Sequence, residues 1–209
     1  MKNTVPIIEV CVETLEEAMA AEAGGADILE LCSNLKQDGL TPDRELVSRV
    51  LANVNIPVKL MIRPRPGDFF YDKHDIHQML RQMESFHSLP VYGFVLGILN
   101  QHMLPDMDTI AYLSDCITDK SLCFHKAIDL VSDWEASVQM LTEAPKITAV
   151  LSSGLASTAL EGLPILEQMH RKFGDRLDII AAGGIRSEER NFLTQHWSGH
   201  WMHGRKILT

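Results

Sequence analysis

Short apolar runs alternate with amphipathic segments along the chain from Ile7 to its end. Each apolar run has the length of a buried strand, and each amphipathic segment repeats its apolar residues at helical spacing. Strands that are apolar throughout and separated by helices indicate a parallel sheet whose two faces are both covered. The predicted strands span 7–11, 28–32, 58–62, 93–97, 122–125, 149–151, 179–181 and 200–202.

Eight such units in 209 residues predict an α/β fold, a compact (β/α)8 TIM-type barrel that forms a single domain over residues 1–209. The alternative is an open doubly wound sheet, but no Gly-x-Gly-x-x-Gly turn follows the first strand. No helix is predicted after the eighth strand, so the barrel lacks its final helix. The outer faces of that strand and its neighbour then need cover, and we expect another subunit of a homo-oligomer to supply it.

Composition narrows the possible partners and the compartment. The net charge of -9 argues against nucleic acid or an anionic membrane as a partner, because both need a basic protein face. No apolar run approaches the roughly 20 residues of a membrane helix, and residues 1–6 lack the apolar core of a signal peptide. The expected location is therefore cytoplasmic. The four cysteines form no Cys-x-x-Cys pair, and we expect them to be reduced thiols.

A rigid, charged segment follows the third predicted strand. Pro64 and Pro66 fix their own φ angles and keep the residues before them, Arg63 and Arg65, out of the helical region. Asp68 then places a carboxylate within reach of the two guanidinium groups. The segment predicts that Arg63 and Arg65 clamp the carboxylate or phosphate of a small anionic ligand, since the guanidinium fork matches those oxygens. A structural Arg–Asp ion pair is the alternative.

The first two predicted strands each end with a glutamate and a cysteine two positions apart, Glu9 with Cys11 and Glu30 with Cys32. Because side chains alternate along a strand, both pairs face the barrel interior. Neighbouring strands lie about 4.8 Å apart, so the two sulfur atoms can approach each other. Such a pair predicts a soft-metal site that favours Cu(I) or zinc over magnesium or calcium. The alternative is two small, buried apolar side chains.

The fifth predicted strand ends at His125, where an imidazole can act as an acid, a base or a ligand. Asp129 follows and is expected to orient the ring. Glu9, Glu30 and Asp68 are candidates for further proton transfer, which completes the predicted catalytic set. The alternative is a buried histidine that is merely hydrogen-bonded to a nearby carboxylate.

Serine and glycine follow the sixth and seventh predicted strands, at Ser153, Gly154, Gly183 and Gly184. These residue types expose backbone N–H groups, and barrels often bind phosphate beside their last strands. The four residues are therefore candidates for binding an anion. Tight turns between strands and helices use the same residue types, so a purely structural role is the alternative.

Five segments of the chain carry a joint pattern over residues 7–185. They are Glu-Val-Cys at 9–11, Glu-Leu-Cys at 30–32 with Asp-Gly-Leu-Thr-Pro at 38–42, the arginine segment at 62–71, Phe-His-Lys-Ala-Ile-Asp at 124–129 and Leu-Ser-Ser-Gly at 151–154. Together these segments resemble the copper homeostasis protein CutC family. The resemblance implies a cytoplasmic TIM-barrel protein, commonly oligomeric and linked to copper handling, with Cys11 and Cys32 as the matching Cu(I) ligands.

The chain departs from the family pattern in two places. Lys126 and Ile128 stand where arginine and phenylalanine are usual, and we expect the Lys126 side chain to face outward and leave the site intact. Relatives usually continue well beyond the eighth strand, whereas His203 lies close to the end here, so the resemblance assigns it no role. The spacing of His196, His200 and His203 fits neither one strand face nor one helix turn, and we expect all three mostly at the surface.

Two main functions follow from these residues, and they are not exclusive. The first is copper handling, in which Cys11 and Cys32 bind Cu(I) as thiolates. The second is an enzyme of unknown reaction on a small anionic substrate, with the two arginines as a clamp and His125 as acid or base. The third hypothesis for the function is a non-catalytic protein that binds other proteins.

Overall fold

The computed structural model describes residues 5–117, 119–144 and 146–209. Eight parallel strands pair in chain order, and the last strand pairs with the first, so the sheet closes into a barrel. This confirms the predicted TIM-type fold. The strands are β1 Ile7–Val12, β2 Ile28–Leu31, β3 Val58–Met61, β4 Gly93–Leu96, β5 Ser121–Phe124, β6 Ile147–Ser152, β7 Asp178–Ala182 and β8 Trp201–His203.

Helices connect the strands around the barrel, and none follows β8 in the described stretch 204–209. The α-helices are α1 Leu15–Ala23, α2 Arg44–Leu51, α3 Lys73–Phe86, α4 Met107–Ser114, α5 Trp134–Thr142, α6 Leu163–Phe173 and α7 Ser187–His196. Two 3₁₀ helices, Leu35–Gln37 and Lys126–Leu130, follow β2 and β5. Within the described ranges, no helix combines the length and the apolar character needed to cross a bilayer.

Polar side chains fix where several helices begin. The Thr14 hydroxyl accepts a hydrogen bond from the Glu17 N–H at 3.1 Å before α1. Asp43 and Asp72 accept backbone N–H groups in the same way before α2 and α3. A cap of this kind contributes about 1 kcal/mol, and a carboxylate also interacts favourably with the helix dipole. These caps set the length of the loops that run over the carboxyl ends of the strands.

The core consists of two apolar clusters, one outside the barrel wall and one inside it. The outer cluster joins the strands to the helices, for example through Val47 and Met79, neither of which is exposed. The inner cluster includes Met61, Cys123 and Ile180. Alternation along each strand produces the two clusters, because successive side chains point to opposite faces. Three charged side chains interrupt the barrel interior, and each is 4% exposed or less: Glu9, Glu30 and Lys59.

The outer face where the barrel closes is buried within the chain itself. Met202 on β8 is 1% exposed, and Val10 and Val12 on β1 are 4% and 3% exposed. Met202 shares an apolar cluster with Leu193 of α7 and with Ile207, which follows β8. The expectation that a second subunit must cover these faces is therefore wrong, because the turn after β8 and the helix before it provide cover. Formation of a homo-oligomer stays a prediction.

Candidate functional site

A pocket of about 270 Å³ opens at the carboxyl ends of the strands. Parallel strands that close into a ring direct their carboxyl ends to one side, so residues far apart in sequence meet there. Side chains carried by or directly following β1, β2, β3, β5 and β8 line this pocket. Those with reactive or charged groups include Cys11, Glu30, Cys32, Arg63, His125 and His203.

Cys11 and Cys32 line this same pocket at different depths. Cys11 is half-buried, and Cys32 has no exposed surface. The Cys32 thiol donates a hydrogen bond to Glu30 Oε1 at 3.4 Å. Burial and the adjacent Glu30 raise the pKa of Cys32 well above its usual value. The thiol is therefore protonated at neutral pH unless a metal ion displaces its proton.

Glu9 is the centre of a buried ion cluster that includes a residue overlooked in the sequence, Lys59. Lys59 Nζ lies 2.7 Å from Glu9 Oε2, and His203 Nδ1 lies 2.9 Å from Glu9 Oε1. Burial by itself would raise the pKa of Glu9, but Lys59 and the hydrogen bond with His203 lower it below its usual value. Glu9 is thus ionised with both oxygens engaged, which does not suit the proton-transfer role expected of it. The sequence feature that could have identified Lys59 is its position, because it is a lysine at an inward-facing place in an otherwise apolar strand.

His203 lies inside the barrel, so the expectation of a surface histidine was wrong. Its side chain is on β8, opposite Glu9 of β1 and Ala182 of β7, and the residue is only 9% exposed. Trp201 and His203 are two positions apart on β8 and share its inward face. The predicted strand ended one residue too early to include the histidine. His196 is exposed and His200 is half-buried.

Glu30 differs from Glu9 in its partners. Glu30 Oε1 accepts the Cys32 hydrogen bond, whereas the buried Glu30 Oε2 has no hydrogen-bond partner in the described part of the chain. Burial raises the pKa of Glu30, and the nearby His203 and Lys59 only partly offset this. Glu9, Glu30 and His203 each offer one atom suited to a metal ion, and these atoms lie within 4.8 Å of one another.

His125 presents a neutral imidazole to the pocket. Its Nδ1 accepts a hydrogen bond from the Ala127 N–H at 3.1 Å, which leaves the proton on Nε2. That nitrogen is buried without a hydrogen-bond partner among the described residues. Burial and the positive Arg63 lower the pKa of His125 to about 3, so the ring is uncharged at neutral pH. The ring centroid lies 4.7 Å from that of Phe69.

Asp129 holds the loop after β6 and does not orient His125. Its carboxylate accepts hydrogen bonds from the N–H and the hydroxyl of Ser153 at 2.9 and 2.8 Å, and from the Leu155 N–H at 3.1 Å. No hydrogen bond joins Asp129 to His125 in the described structure, so the expected orientation is corrected: Ala127 holds the ring instead. The Ser153 N–H expected to bind an anion is already occupied by this carboxylate.

Among the glycines expected to bind an anion, Gly183 and Gly184 line the pocket, whereas Gly154 packs against Gly162. Gly183 and Gly184 have φ values of 104° and 69°, a region that favours glycine. Lys126 Nζ lies 3.5 Å from where a Cβ atom on Gly183 would stand. Lys126 therefore lines the pocket and does not face outward, because a 3₁₀ helix begins directly after His125 and ends the strand alternation.

The two arginines of the rigid segment lie in different surroundings. Arg63 is 3% exposed and donates hydrogen bonds to backbone carbonyls, including that of Gln37 at 2.7 Å. Arg65 lies outside the pocket lining, with Nε 2.8 Å from Asp75 Oδ2 and Nη2 3.0 Å from Asp68 Oδ1. The expected two-arginine clamp does not form, because Arg65 and Asp68 form the structural ion pair that was the alternative and only Arg63 lines the pocket. Asp68 is likewise outside the pocket and is not placed for proton transfer there.

A family model described as the CutC family matches residues 6–207. The chain belongs to the CutC family. The family protein CutC of Mesorhizobium japonicum is 35% identical over 184 residues, which cover 88% of this chain and 71% of that protein. The copper homeostasis protein cutC homolog of Homo sapiens is 36% identical over 179 residues, which cover 86% of this chain and 65% of the human protein. These matches confirm the resemblance found in the sequence.

One solved structure agrees with this family membership, and another shares the fold. A crystal structure of a protein named for copper homeostasis, CutC from Streptococcus agalactiae, superposes with a TM-score of 0.91 and is 26% identical, covering 97% of this chain and all of that chain. Oxaloacetate acetylhydrolase superposes with a TM-score of 0.68 at 13% identity, covering all of this chain and 78% of the enzyme. The second likeness reflects the barrel fold alone.

The pocket of this CutC family member has two chemically different sides. The thiol side comes from β8, β1 and β2 and comprises Cys11, Cys32, Glu30 and His203. The donor side comes from the ends of β3, β5 and β7 and comprises Arg63, His125, Lys126 and Gly183. The first suits a soft cation, and the second suits an anion.

Proposed function

We propose that this CutC family member takes part in copper homeostasis by binding Cu(I) through Cys11 and Cys32. The observation that carries the proposal is that both thiols line one pocket, one half-buried and the other fully buried. Thiolates are the soft ligands that Cu(I) prefers, and two of them suffice for a linear site. The relatives named for copper homeostasis support the same role.

The groups around the two thiols fit such an ion. Cys32 must lose its proton to bind Cu(I), and Glu30 already accepts the hydrogen bond from that thiol. Glu30 Oε2 is buried without a hydrogen-bond partner in the described ranges, and burial raises the pKa of this carboxyl. Glu30 is therefore suited to receive the proton that the metal displaces.

The proposal includes a cytoplasmic location, where a reducing environment keeps thiols available for metal binding. All four cysteines are free thiols, consistent with such a compartment.

We also propose that the protein is a homo-oligomer, as the family resemblance implies. Light scattering on the purified protein measures the mass directly, and a monomeric mass would contradict this part.

Anaerobic titration with Cu(I) tests the metal site. We expect about one Cu(I) per chain in the wild type, and loss of this binding in Cys11→Ser and in Cys32→Ser, because two thiolates are needed. Cys116→Ser is the matched control, since Cys116 is a half-buried thiol outside the pocket. Wild-type stoichiometry in the double variant of Cys11 and Cys32 would exclude the site.

A second candidate function is favoured by the donor side of the pocket: an enzyme acting on a small anionic substrate, a carboxylate or a phosphate. The His125 Nε2–H is a buried donor without a partner in the described structure, and Lys126 lies beside Gly183. A neutral N–H donor and a nearby cation can stabilise negative charge that develops on a bound substrate. Glu30 is the nearby carboxyl for proton transfer.

Thermal unfolding with a panel of small carboxylates and phosphates tests this candidate. We expect one ligand class to raise the unfolding temperature of the wild type, and we expect this rise to disappear in Lys126→Ala. Arg65→Ala is the matched control, because its guanidinium lies outside the pocket and should leave the rise unchanged. An equal rise in wild type and Lys126→Ala would contradict an anion site on this side.

A further inference from the structure

We infer that His203 is a third ligand of the Cu(I) ion, bound through Nε2, and that Glu9 and Lys59 hold its ring in place. The inference rests on the proposed function, because it adds a ligand to the two-thiol site. Its evidence is independent of the thiols, since it comes from the ring's position, its hydrogen bond and the charges around it.

The barrel closure places His203 beside the first cysteine. Glu9 of β1 is the register partner of His203 on β8, and Cys11 lies two positions further along β1 on the same inward face. Cys11, Cys32 and His203 all line the pocket, so both thiols and the ring face the same opening.

The ring is already oriented as metal-binding imidazoles are. Its Nδ1 is 2.9 Å from Glu9 Oε1, which leaves Nε2 as the nitrogen that can bind a metal. A carboxylate that accepts the N–H opposite the metal fixes the tautomer and the direction of the ring. Glu9 is therefore a positioning residue in this site and not itself a ligand.

Lys59 keeps Glu9 from moving toward the metal. Lys59 Nζ is 2.7 Å from Glu9 Oε2 and 4.2 Å from the centroid of the Trp201 ring. Trp201 and His203 belong to the same strand, β8, so the cation links Glu9 to the strand that carries the histidine. The three side chains Glu9, Lys59 and Trp201 form a buried support beneath the ring.

His203 suits Cu(I) better than the neighbouring carboxylate of Glu30 does. The donor atoms of Glu30 and His203 lie within 4.8 Å of each other, so both are within range of one ion. Imidazole nitrogen binds copper well, whereas carboxylate oxygen prefers harder ions. Burial would lower the pKa of His203, but the neighbouring Glu30 and Glu9 raise it well above its usual value, so the ring must release a proton when it binds the ion. The imidazole that remains is neutral and adds no negative charge to a site that holds two thiolates.

X-ray absorption on the anaerobic Cu(I)-loaded full chain tests the inference. We expect two sulfur and one nitrogen neighbours in the wild type, and two sulfur neighbours alone in His203→Ala. Competition with a chromogenic Cu(I) chelator should show binding weakened about 10- to 100-fold in His203→Ala and about 10-fold in Glu9→Gln, as for lost ligands and their supports in other metal sites. His196→Ala, an exposed histidine on α7, is the matched control and should match the wild type.

The outcomes separate this inference from the proposed function. If Cu(I) binding needs the cysteines but His203→Ala keeps the wild-type affinity and spectrum, His203 is not a ligand, although the thiol site stands. If the wild type binds no Cu(I), both the proposed copper function and the inference about His203 are wrong. His203→Gln retains a side chain that can hydrogen-bond to Glu9, so this variant should still fold if His203→Ala does not. A nitrogen neighbour of the copper ion that is retained in both folded variants would overturn the inference.

Discussion

The thiol side and the donor side of the pocket both contain buried polar atoms without a hydrogen-bond partner in the described chain, but these atoms are of opposite kinds. On the thiol side the atom is Glu30 Oε2, a carboxyl oxygen. On the donor side they are His125 Nε2 and Arg63 Nε, both N–H groups. A buried unpaired polar group costs about 1–3 kcal/mol, so each atom marks a place where a ligand or a proton would relieve that cost. The difference matches the two proposed functions, with a cation bound on the thiol side and an anion on the donor side.

The two sides also differ in how their charges are compensated. Near the thiols, Glu9 and Lys59 form an ion pair that is almost completely shielded from solvent. Across the pocket, Arg63 is compensated by neutral backbone carbonyls, among them Gln37 and Gly67. The guanidinium therefore keeps its positive charge available to the pocket, and it lowers the pKa of His125.

The largest expected effect is on the ion pair beside the thiols. Lys59→Met removes the buried cation from Glu9 Oε2 and leaves His203 on the other oxygen, and we expect it to lower the free energy of unfolding by about 3–5 kcal/mol. Urea denaturation measures this directly. Lys172→Met, which breaks the exposed ion pair with Glu135, is the control and should cost about 1 kcal/mol or less. Equal losses of unfolding free energy in the two variants would show that the buried ion pair contributes no more to stability than the exposed one.

Cu(I) should stabilise the thiol side by a smaller, concentration-dependent amount. At a free Cu(I) concentration of about 100 times Kd, linkage predicts a gain of about 2.7 kcal/mol in the free energy of unfolding. Anaerobic denaturation with buffered Cu(I) measures the gain. Cys11→Ser should show none of it, and Lys126→Ala, on the opposite side, should show all of it. A gain that persisted without Cys11 would place the ion elsewhere.

The smallest expected effect is the pH dependence that the donor side contributes. His125 has a pKa of about 3 in the folded chain, below the usual 6.5, so the unfolded chain binds a proton more readily as the pH falls. The stability from this group is complete above pH 6.5 and decreases as the pH falls from 6.5 toward 3. Between pH 7 and pH 5 the loss is about 2 kcal/mol. His125→Asn should lack that part of the slope.

His196→Asn is the control for this measurement, because His196 is exposed on α7 and should leave the slope unchanged. Proton NMR of the histidine rings provides a second readout. We expect the His125 signal to stay constant between pH 5 and pH 8, and titration of that ring near pH 6.5 would contradict its burial as a neutral group.

Most of the barrel was predictable from the sequence, since each strand is an apolar run and each helix an amphipathic one. The boundaries were less accurate where strands continue into polar residues. The sixth strand was predicted over 149–151, whereas β6 spans Ile147–Ser152 and includes the exposed Thr148. Backbone pairing with the neighbouring strands decides where a strand ends, and side-chain polarity is only a partial guide to it.

The inward direction of Cys11, Cys32 and Glu30 followed from alternation along a strand, which is a local property. The hydrogen-bond partners of the site residues did not follow from local sequence in the same way. Asp129 was assigned to His125, yet it binds the backbone and hydroxyl of Ser153, because the 3₁₀ helix after β5 turns it toward the loop after β6. Arg63 and Arg65 are both followed by proline, yet Arg63 lines the pocket and Arg65 does not.

The sequence by itself determined the fold, the face of each strand residue and the pair of thiols, because strand and helix periods are set by backbone geometry within a few residues. Only the tertiary structure decided that His203 meets Glu9, 194 positions away, and that Lys59 joins them. Those contacts depend on the register and closure of the ring, which bring β8 against β1, and no local pattern in the chain encodes which residues then stand opposite each other.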